Sequence, residues 1–219
     1  MGDQEVENRR QSAQLRVQLL AGARVLGIEL DRQATEKLMA YIALLVKWNK
    51  AYNLTAINDP PRMVSHHLLD CLAIATYVNG NRVLDIGSGA GLPGIPLALV
   101  YPNKKVVLLD SNGKKTRFLT QVVSELELKN VEVVNARVEK YSPAALFDTI
   151  TARAFSSMVQ TLDQSAHLCA RVGSYLLMKG REPAQEIAEI GPNFRIVDTH
   201  LLNVPGIDGQ RRLLIVKIE

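Results

Sequence analysis

The sequence is poor in cysteine, in long apolar runs and in anything resembling a leader. Its 219 residues hold two cysteines, Cys71 and Cys169, far apart and with no partner pattern around either. That spacing speaks against a disulfide framework and points to two reduced core thiols in a cytoplasmic protein. The longest uninterrupted apolar run is the nine residues 38–46, against about 20 for a membrane-spanning helix, so no membrane association is expected. The start, MGDQEVENRR, is polar and partly acidic where a secretory leader needs a basic and then an apolar stretch, and Val6 breaks the N-myristoylation pattern. Internal repeats and low-complexity tracts are also missing.

What is present is a globular composition. Apolar residues make up 47% of the chain, and at this size folding buries roughly 70% of the unfolded surface, so a core needs no covalent or metal staple. The formal charge is +4. Nearly all of the excess lies in residues 101–140, which carry a net +3, while residues 1–80 are almost balanced. A localised excess of this size is compatible with a polyanionic partner but too small to name one.

Two regions are expected, a helical one over residues 1–78 and a second over residues 79–219. In the first, Leu15, Leu19 and Leu20, then Leu38, Tyr41, Ile42, Leu45, Trp48 and Tyr52, recur at three and four residues and mark one buried helical stripe. Asp31 suits an N-cap for the second helix. Asn58, Asp59, Pro60 and Pro61 interrupt the pattern, and residues 63–78 read as a further helix. From Arg82 onward short β-branched runs alternate with helical patterns, the signature of an α/β fold. Strands are predicted at 83–86, 106–109, 131–135, 148–151, 174–178, 195–201 and 213–218. The first five are separated by enough chain for crossover helices and so should be parallel. Between the last two lie only residues 202–212, with Pro205, Gly206, Asp208 and Gly209, which suits a hairpin with a long loop.

The strongest local signal is the run from Val83 to Pro96, VLDIGSGAGLPGIP: a strand, a glycine turn and a helix start. Gly87, Gly89 and Gly91 permit positive φ and remove side chains that would keep a ligand off the backbone, and N–H groups of the helix start are expected to face the site. Pro93 suits the first helical turn. Gly89, Gly91 and Gly94 also satisfy the G-x-G-x-x-G spacing of a dinucleotide site, so a nicotinamide-dependent oxidoreductase is one reading. Asp85 favours the other, a methyl donor, because a carboxylate at that strand end can face an ammonium or hydroxyl but has no evident use beside a pyrophosphate. Asp110 closes the second strand, where a carboxylate can accept both ribose hydroxyls of an adenosine. Val138 and Glu139 follow the third strand, where backbone groups can meet an adenine edge, and Arg153 closes the fourth, over the pocket.

Five parallel strands closed by an antiparallel hairpin resemble the class I S-adenosylmethionine-dependent methyltransferases, a Rossmann-like seven-stranded fold, here with a helical N-terminal extension. The glycine run together with Trp48-Asn49-Lys50-Ala51-Tyr52-Asn53-Leu54-Thr55, His67-Leu68-Leu69-Asp70 and Arg153-Ala154-Phe155 narrows the match. From about Ala23 to its end the sequence resembles the bacterial ribosomal RNA small subunit methyltransferase G family, also called glucose-inhibited division protein B. That resemblance implies methyl transfer from S-adenosylmethionine to N7 of a guanosine in 16S ribosomal RNA, in the loop near the decoding site. It also implies a cofactor shell of Gly87, Leu92, Val138, Glu139 and Arg153, to which the residue reading adds Asp85, Gly89, Gly91 and Asp110. Cys71 stands where a small hydroxyl residue is expected and reads as packing variation.

The chemistry suits a chain with no Ser-His-Asp or Cys-His array, because guanine N7 has a lone pair and no proton to lose; no catalytic residue is nominated. A metal is not expected from His66, His67 and Asp70, since adjacent histidines point to different helix faces. They are read as capping or buried polar groups, with RNA or cofactor contact by His67 as the other reading. Asn53 is either a helix C-terminus or part of a substrate lip. Lys179 and Arg181, after the fifth strand, are candidates for phosphate contacts, whereas Lys114, Lys115 and Arg117 suit equally the solvent face of a helix. The expected partner is 16S ribosomal RNA or the small subunit, bound by a monomer. A non-catalytic RNA-binding assembly factor is the remaining alternative.

Overall fold

The computed structural model describes residues 2–153, 157–180 and 184–219. Strands β1 (Arg82–Ile86), β2 (Lys105–Asp110), β3 (Val131–Asn135), β4 (Phe147–Arg153), β5 (Cys169–Lys179), β6 (Phe194–Leu202) and β7 (Arg211–Ile218) form one sheet in the order β3-β2-β1-β4-β5-β7-β6. The first five are parallel neighbours, and β7 runs antiparallel between β5 and β6. All seven predicted strands are present. β5 starts earlier than its apolar pattern indicates, at Cys169, because its first residues bulge where the register shifts opposite Phe147 and Thr149. Strand order reverses at β1, whose two neighbours lead away in opposite directions. In an open α/β sheet that reversal opens a crevice at the carboxyl ends of the strands.

The helices are α1 (Gly2–Val25), α2 (Arg32–Tyr52), α3 (Pro60–Met63), α4 (Asp70–Leu72), α5 (Gly94–Val100), α6 (Gly113–Glu125), α7 (Met158–Ser165) and α8 (Ala184–Ala188). Alternate strand residues point to opposite faces, and two apolar clusters result. Val83, Val106, Leu108, Leu176 and Leu213 meet Leu19, Leu38, Leu45 and Phe118, so α1, α2, α5 and α6 share one core with the sheet. On the other face Leu84, Leu109, Ile150, Tyr175 and Val216 pack with Met158 and Leu162 of α7.

Asp31 caps α2 as expected, its Oδ1 accepting from Ala34 N at 2.6 Å. Leu19, Leu38, Tyr41, Ile42 and Leu45 are buried, but Leu20 lies off the stripe and is 40% exposed. The expectation of one helix over residues 63–78 is corrected. Pro60 and Pro61 open α3 rather than only ending what precedes them, with Asp59 Oδ2 accepting from Arg62 N at 3.0 Å; proline is suited to a first turn because its missing N–H has no intrahelical partner there. The chain then forms a π-turn over Val64–Leu69, the short α4 and a 3-10 turn over Ala75–Tyr77. Pro93 is likewise one place off: it is the N-cap of α5, and the first helical residue is Gly94.

Candidate active site

The loop between β1 and α5 is left-handed at three glycines, Gly87 (φ 63°), Gly89 (φ 58°) and Gly91 (φ 93°). A Cβ on Gly91 would lie 2.6 Å from Ile95 Cγ1 and 2.9 Å from Leu119 Cδ2, whereas one on Gly89 would meet nothing nearer than Gly87 O at 3.7 Å. Gly91 thus serves the packing behind the loop, and Gly89 leaves open space in front of it.

The expectation that the helix start offers free N–H groups to a ligand is corrected. Gly87 N and Ser88 N donate to Leu109 O, Gly91 N and Leu92 N to Ser88 O, and Ile95 N to Gly91 O. Gly89 N donates to Asp110 Oδ2 at 2.9 Å and Gly94 N to Asp85 Oδ2 at 3.0 Å. Asp85 also turns away from the place expected for it. Its carboxylate is fully buried, accepts from Thr151 Oγ1 at 3.1 Å as well as from Gly94, and lines neither of the cavities described below. It ties the strand end to the helix start. Burial pushes its pKa up to about 7, against the hydrogen bonds from Gly94 and Thr151.

Two cavities flank the loop and meet at Gly87. The first, about 320 Å³, is bounded by Ile86, Leu109, Asp110, Ala136, Arg137, Val138, Glu139 and, from α7, Gln160 and Gln164. Ile86, Leu109 and Val138 give it an apolar wall. Asp110 holds its carboxylate there by accepting from Asn112 N at 2.8 Å and Gly89 N at 2.9 Å, which leaves each oxygen a further lone pair. Val138 is buried; Glu139, half-exposed, faces Arg137 at 3.9 Å. An apolar slot with a carboxylate acceptor at one end has the chemistry to take a flat ring carrying a diol.

The second cavity, about 400 Å³, is strongly cationic. Among the described residues, Lys115, Arg153, Lys179, Arg211 and Arg212 line it with a single acid, Asp70, beside Gly89, Ala90, Leu92, Leu54 and Thr55. Asp70 holds two of the cations: its Oδ2 accepts from Arg153 Nη1 at 3.3 Å and its Oδ1 from Arg211 Nε at 3.1 Å. Arg153 Nη1 also donates to His66 O at 3.1 Å. One buried carboxylate therefore brings the end of β4 and the start of β7 together beneath the cavity. Lys179 is paired with Glu186 at 2.7 Å, and Met158 N donates to the same Glu186 oxygen at 2.6 Å. Lys179 thus stands at the cavity with a partner of its own.

The remaining candidates are placed as follows. Asn53 is the C-cap of α2, left-handed and with its N–H on Asn49 O; its side chain is exposed and lines neither cavity. The lip is made by the next two residues, Leu54 and Thr55. They are fixed by buried Asn49, whose Nδ2 donates to Thr55 O at 2.9 Å and whose Oδ1 accepts from Thr55 N at 2.8 Å. His67 is buried behind that lip, with Nε2 and Thr55 Oγ1 2.9 Å apart. Burial, then the Arg153 guanidinium, push its pKa down to about 4, so it is neutral near pH 7. Arg181, with Ala154 and Phe155, lies outside the described residues. Arg211, Arg212 and Lys115 were missed as site residues. For the arginines the available signal was a basic pair opening the last strand, at a strand end next to the crevice.

A model of the family described as rRNA small subunit methyltransferase G matches residues 34–215. The chain belongs to that family. A ribosomal RNA small subunit methyltransferase G from Ectopseudomonas mendocina is 54% identical over 202 residues, 91% of this chain and 94% of the relative. One from Pseudomonas aeruginosa is 52% identical over 201 residues, with the same shares covered. Among solved structures, a SAM-dependent methyltransferase from Aquifex aeolicus covers 78% of the chain and 97% of its own length, with a TM-score of 0.56 at 20% identity. The O-methyltransferase NcsB1, solved with S-adenosylmethionine, gives 0.59 at 17% identity over 72% of this chain and 56% of its own. At those identities the likeness concerns the fold, which is the class I methyltransferase sheet expected for this family.

Proposed function

We propose that the protein transfers a methyl group from S-adenosylmethionine to N7 of a guanosine in 16S ribosomal RNA near the decoding site, acting as a cytoplasmic monomer on RNA or the small subunit. The observation that carries the reading is the pair of cavities joined at Gly87, an apolar slot ending on Asp110 and a cationic chamber floored by Arg153, in a member of this methyltransferase family. S-adenosylmethionine, when bound, supplies a methyl group on a sulfonium sulfur. Asp110 would accept the ribose hydroxyls, Val138 and Glu139 would meet the adenine, and the loop from Gly87 to Leu92 would carry the segment between the cavities. Gly89, with open space where a Cβ would stand, fits that role.

The chain's part in the chemistry is alignment. Guanine N7 attacks through an in-plane lone pair and carries no proton, so no side chain has to act as a base at the reacting atom. The imidazole of His67 is buried behind Thr55, and His67 lines neither cavity. What remains for the residues is to hold N7 in line with the methyl carbon and to exclude misaligned bases. The excess of cations around the second cavity suits the phosphates flanking a splayed-out nucleotide, with Arg211, Arg212 and Lys115 supplying charge and Asp70 fixing where Arg211 and Arg153 sit. The test is incubation with methyl-labelled S-adenosylmethionine and small subunits that lack the modification. Label in 16S RNA is expected. Label confined to protein, or none, contradicts the proposal, and binding of NADH in place of S-adenosylmethionine would restore the oxidoreductase reading.

A further inference from the structure

Among the described residues, one hydrogen bond ties the glycine loop to the chain outside the 79–219 region. Tyr41, in the third turn of α2, is fully buried and its hydroxyl donates to Ala90 O at 2.7 Å across 49 residues of sequence. Ala90 lines the cationic cavity between Gly89 and Leu92. The other hydrogen bonds of the loop run to β1, β2, α5 and the loop itself: Leu109 O, Asp110, Asp85, Ile95 N and Ser88. Those hold loop N–H groups, the Ser88 hydroxyl and the Gly91 carbonyl, and leave the Ala90 carbonyl to Tyr41. α2 also braces both flanks of the site, through Trp48 against Phe118 of α6, ring centroids 5.7 Å apart, and through Asn49 on Thr55.

We propose that Tyr41 is a positioning residue for the methyl-donor site, its hydroxyl holding the Ala90 carbonyl and with it the left-handed path from Gly87 to Gly91. A loop with three glycines has many conformations to lose, and the fold must remove them before a ligand arrives if binding energy is not to be spent on ordering. The hydroxyl serves this well because burial raises the phenol well above its ordinary pKa, so it remains a donor throughout the working range. The helical N-terminal region thereby becomes part of the cofactor site, which is where its sequence distance from the glycines hides it. The inference rests on the methyl-donor reading of the two cavities.

The test compares Tyr41→Phe with Tyr175→Phe. Tyr175 is an equally buried phenol on the other face of the sheet, its hydroxyl 3.2 Å from Ser165 Oγ and clear of both cavities. Calorimetric titration with S-adenosylmethionine should show Kd raised about fivefold in Y41F, as expected for the loss of one buried hydrogen bond from a preorganised loop, with Kd unchanged in Y175F. Amide exchange of residues 87–92 should be faster in folded Y41F, and unaltered in Y175F, which gives a second readout at low temperature should Y41F melt early. In turnover, KM for the methyl donor should rise more than kcat falls. Equal Kd and equal loop exchange in Y41F and wild type overturn the assignment and leave the cofactor reading intact. Failure of the wild-type protein itself to bind S-adenosylmethionine overturns both.

Discussion

Replacing Asp70 by Asn tests the junction on which the cationic cavity is built. The carboxylate side chain is 6% exposed, and the two guanidiniums it holds are 23% and 25% exposed. Asn keeps the volume and one acceptor oxygen but places an amide nitrogen against a guanidinium. Each contact is a single N–O approach, at 3.3 Å and 3.1 Å, where a charge-assisted bond is worth about 1.5–3 kcal/mol when well formed. Removing one partner of a buried pair costs about 3–5 kcal/mol because the other charge is stranded. Here both arginines keep a quarter of their surface in water, which screens them, so a loss of about 2–3 kcal/mol is expected. At this chain length that corresponds to a Tm lower by roughly 5–10 °C. Urea unfolding should show the midpoint falling at constant m, and a cycle with Arg211→Met should reveal coupling of about 1–2 kcal/mol between the two positions. Methylation by D70N should slow as well, since Arg153 and Arg211 lose their common anchor. A variant within about 0.5 kcal/mol of wild type, or strict additivity with R211M, would refute the claim that Asp70 holds the two strands' arginines together.

The glycines separate structure from binding: Gly89→Ala should fold with a penalty of about 1 kcal/mol for its positive φ yet bind S-adenosylmethionine poorly, whereas Gly91→Ala should mainly lower the melting temperature, as calorimetry and melting curves can check. Arg153→Ala should weaken donor binding by about 1–3 kcal/mol; an unchanged Kd and rate would retire it from the site. For pH, Asp85 keeps its proton to about 7 when folded against an ordinary 3.8, so the folded state binds more protons in that window and stability falls as pH rises through it. His67 is the reverse, about 4 when folded against 6.5: its contribution is present above 6.5 and lost as pH falls. The two oppose each other between about pH 4 and 6.5, so Asp85→Asn should lose stability on acidification more steeply than wild type, by at most about 1.4 kcal/mol per pH unit; parallel melting profiles would contradict this.

Much of the fold was legible because its signals are local. Buried parallel strands read as β-branched runs, and the hairpin loop carries its own Pro and Gly. Asp110 and Arg153 could be placed at the site since a residue closing a parallel strand points to the crevice. What escaped depends on distance or on who uses a group first. Asp70 and Arg211 are 141 residues apart, so no spacing announces them, and an arginine pair at a strand start looks like any solvated charge. The glycine-loop N–H groups seemed available because the sequence does not show that Leu109, Asp85 and Asp110 already occupy them. Asn53 carried a turn signal that it honours as a cap, while the contact surface passed to Leu54 and Thr55. The π-turn over Val64–Leu69 has no pattern of its own in the sequence, where the segment reads as plain helix.

The central claim concerns one atom of one RNA. Small subunits lacking the modification, incubated with the protein and S-adenosylmethionine, can be mapped for N7-methylguanosine by reductive strand scission, with methylated nucleosides identified by mass. A single cleavage at a guanosine near the decoding site is expected, with 7-methylguanosine as the sole new nucleoside. Methylation of a different base, of another atom of guanine, or of a ribose would contradict it.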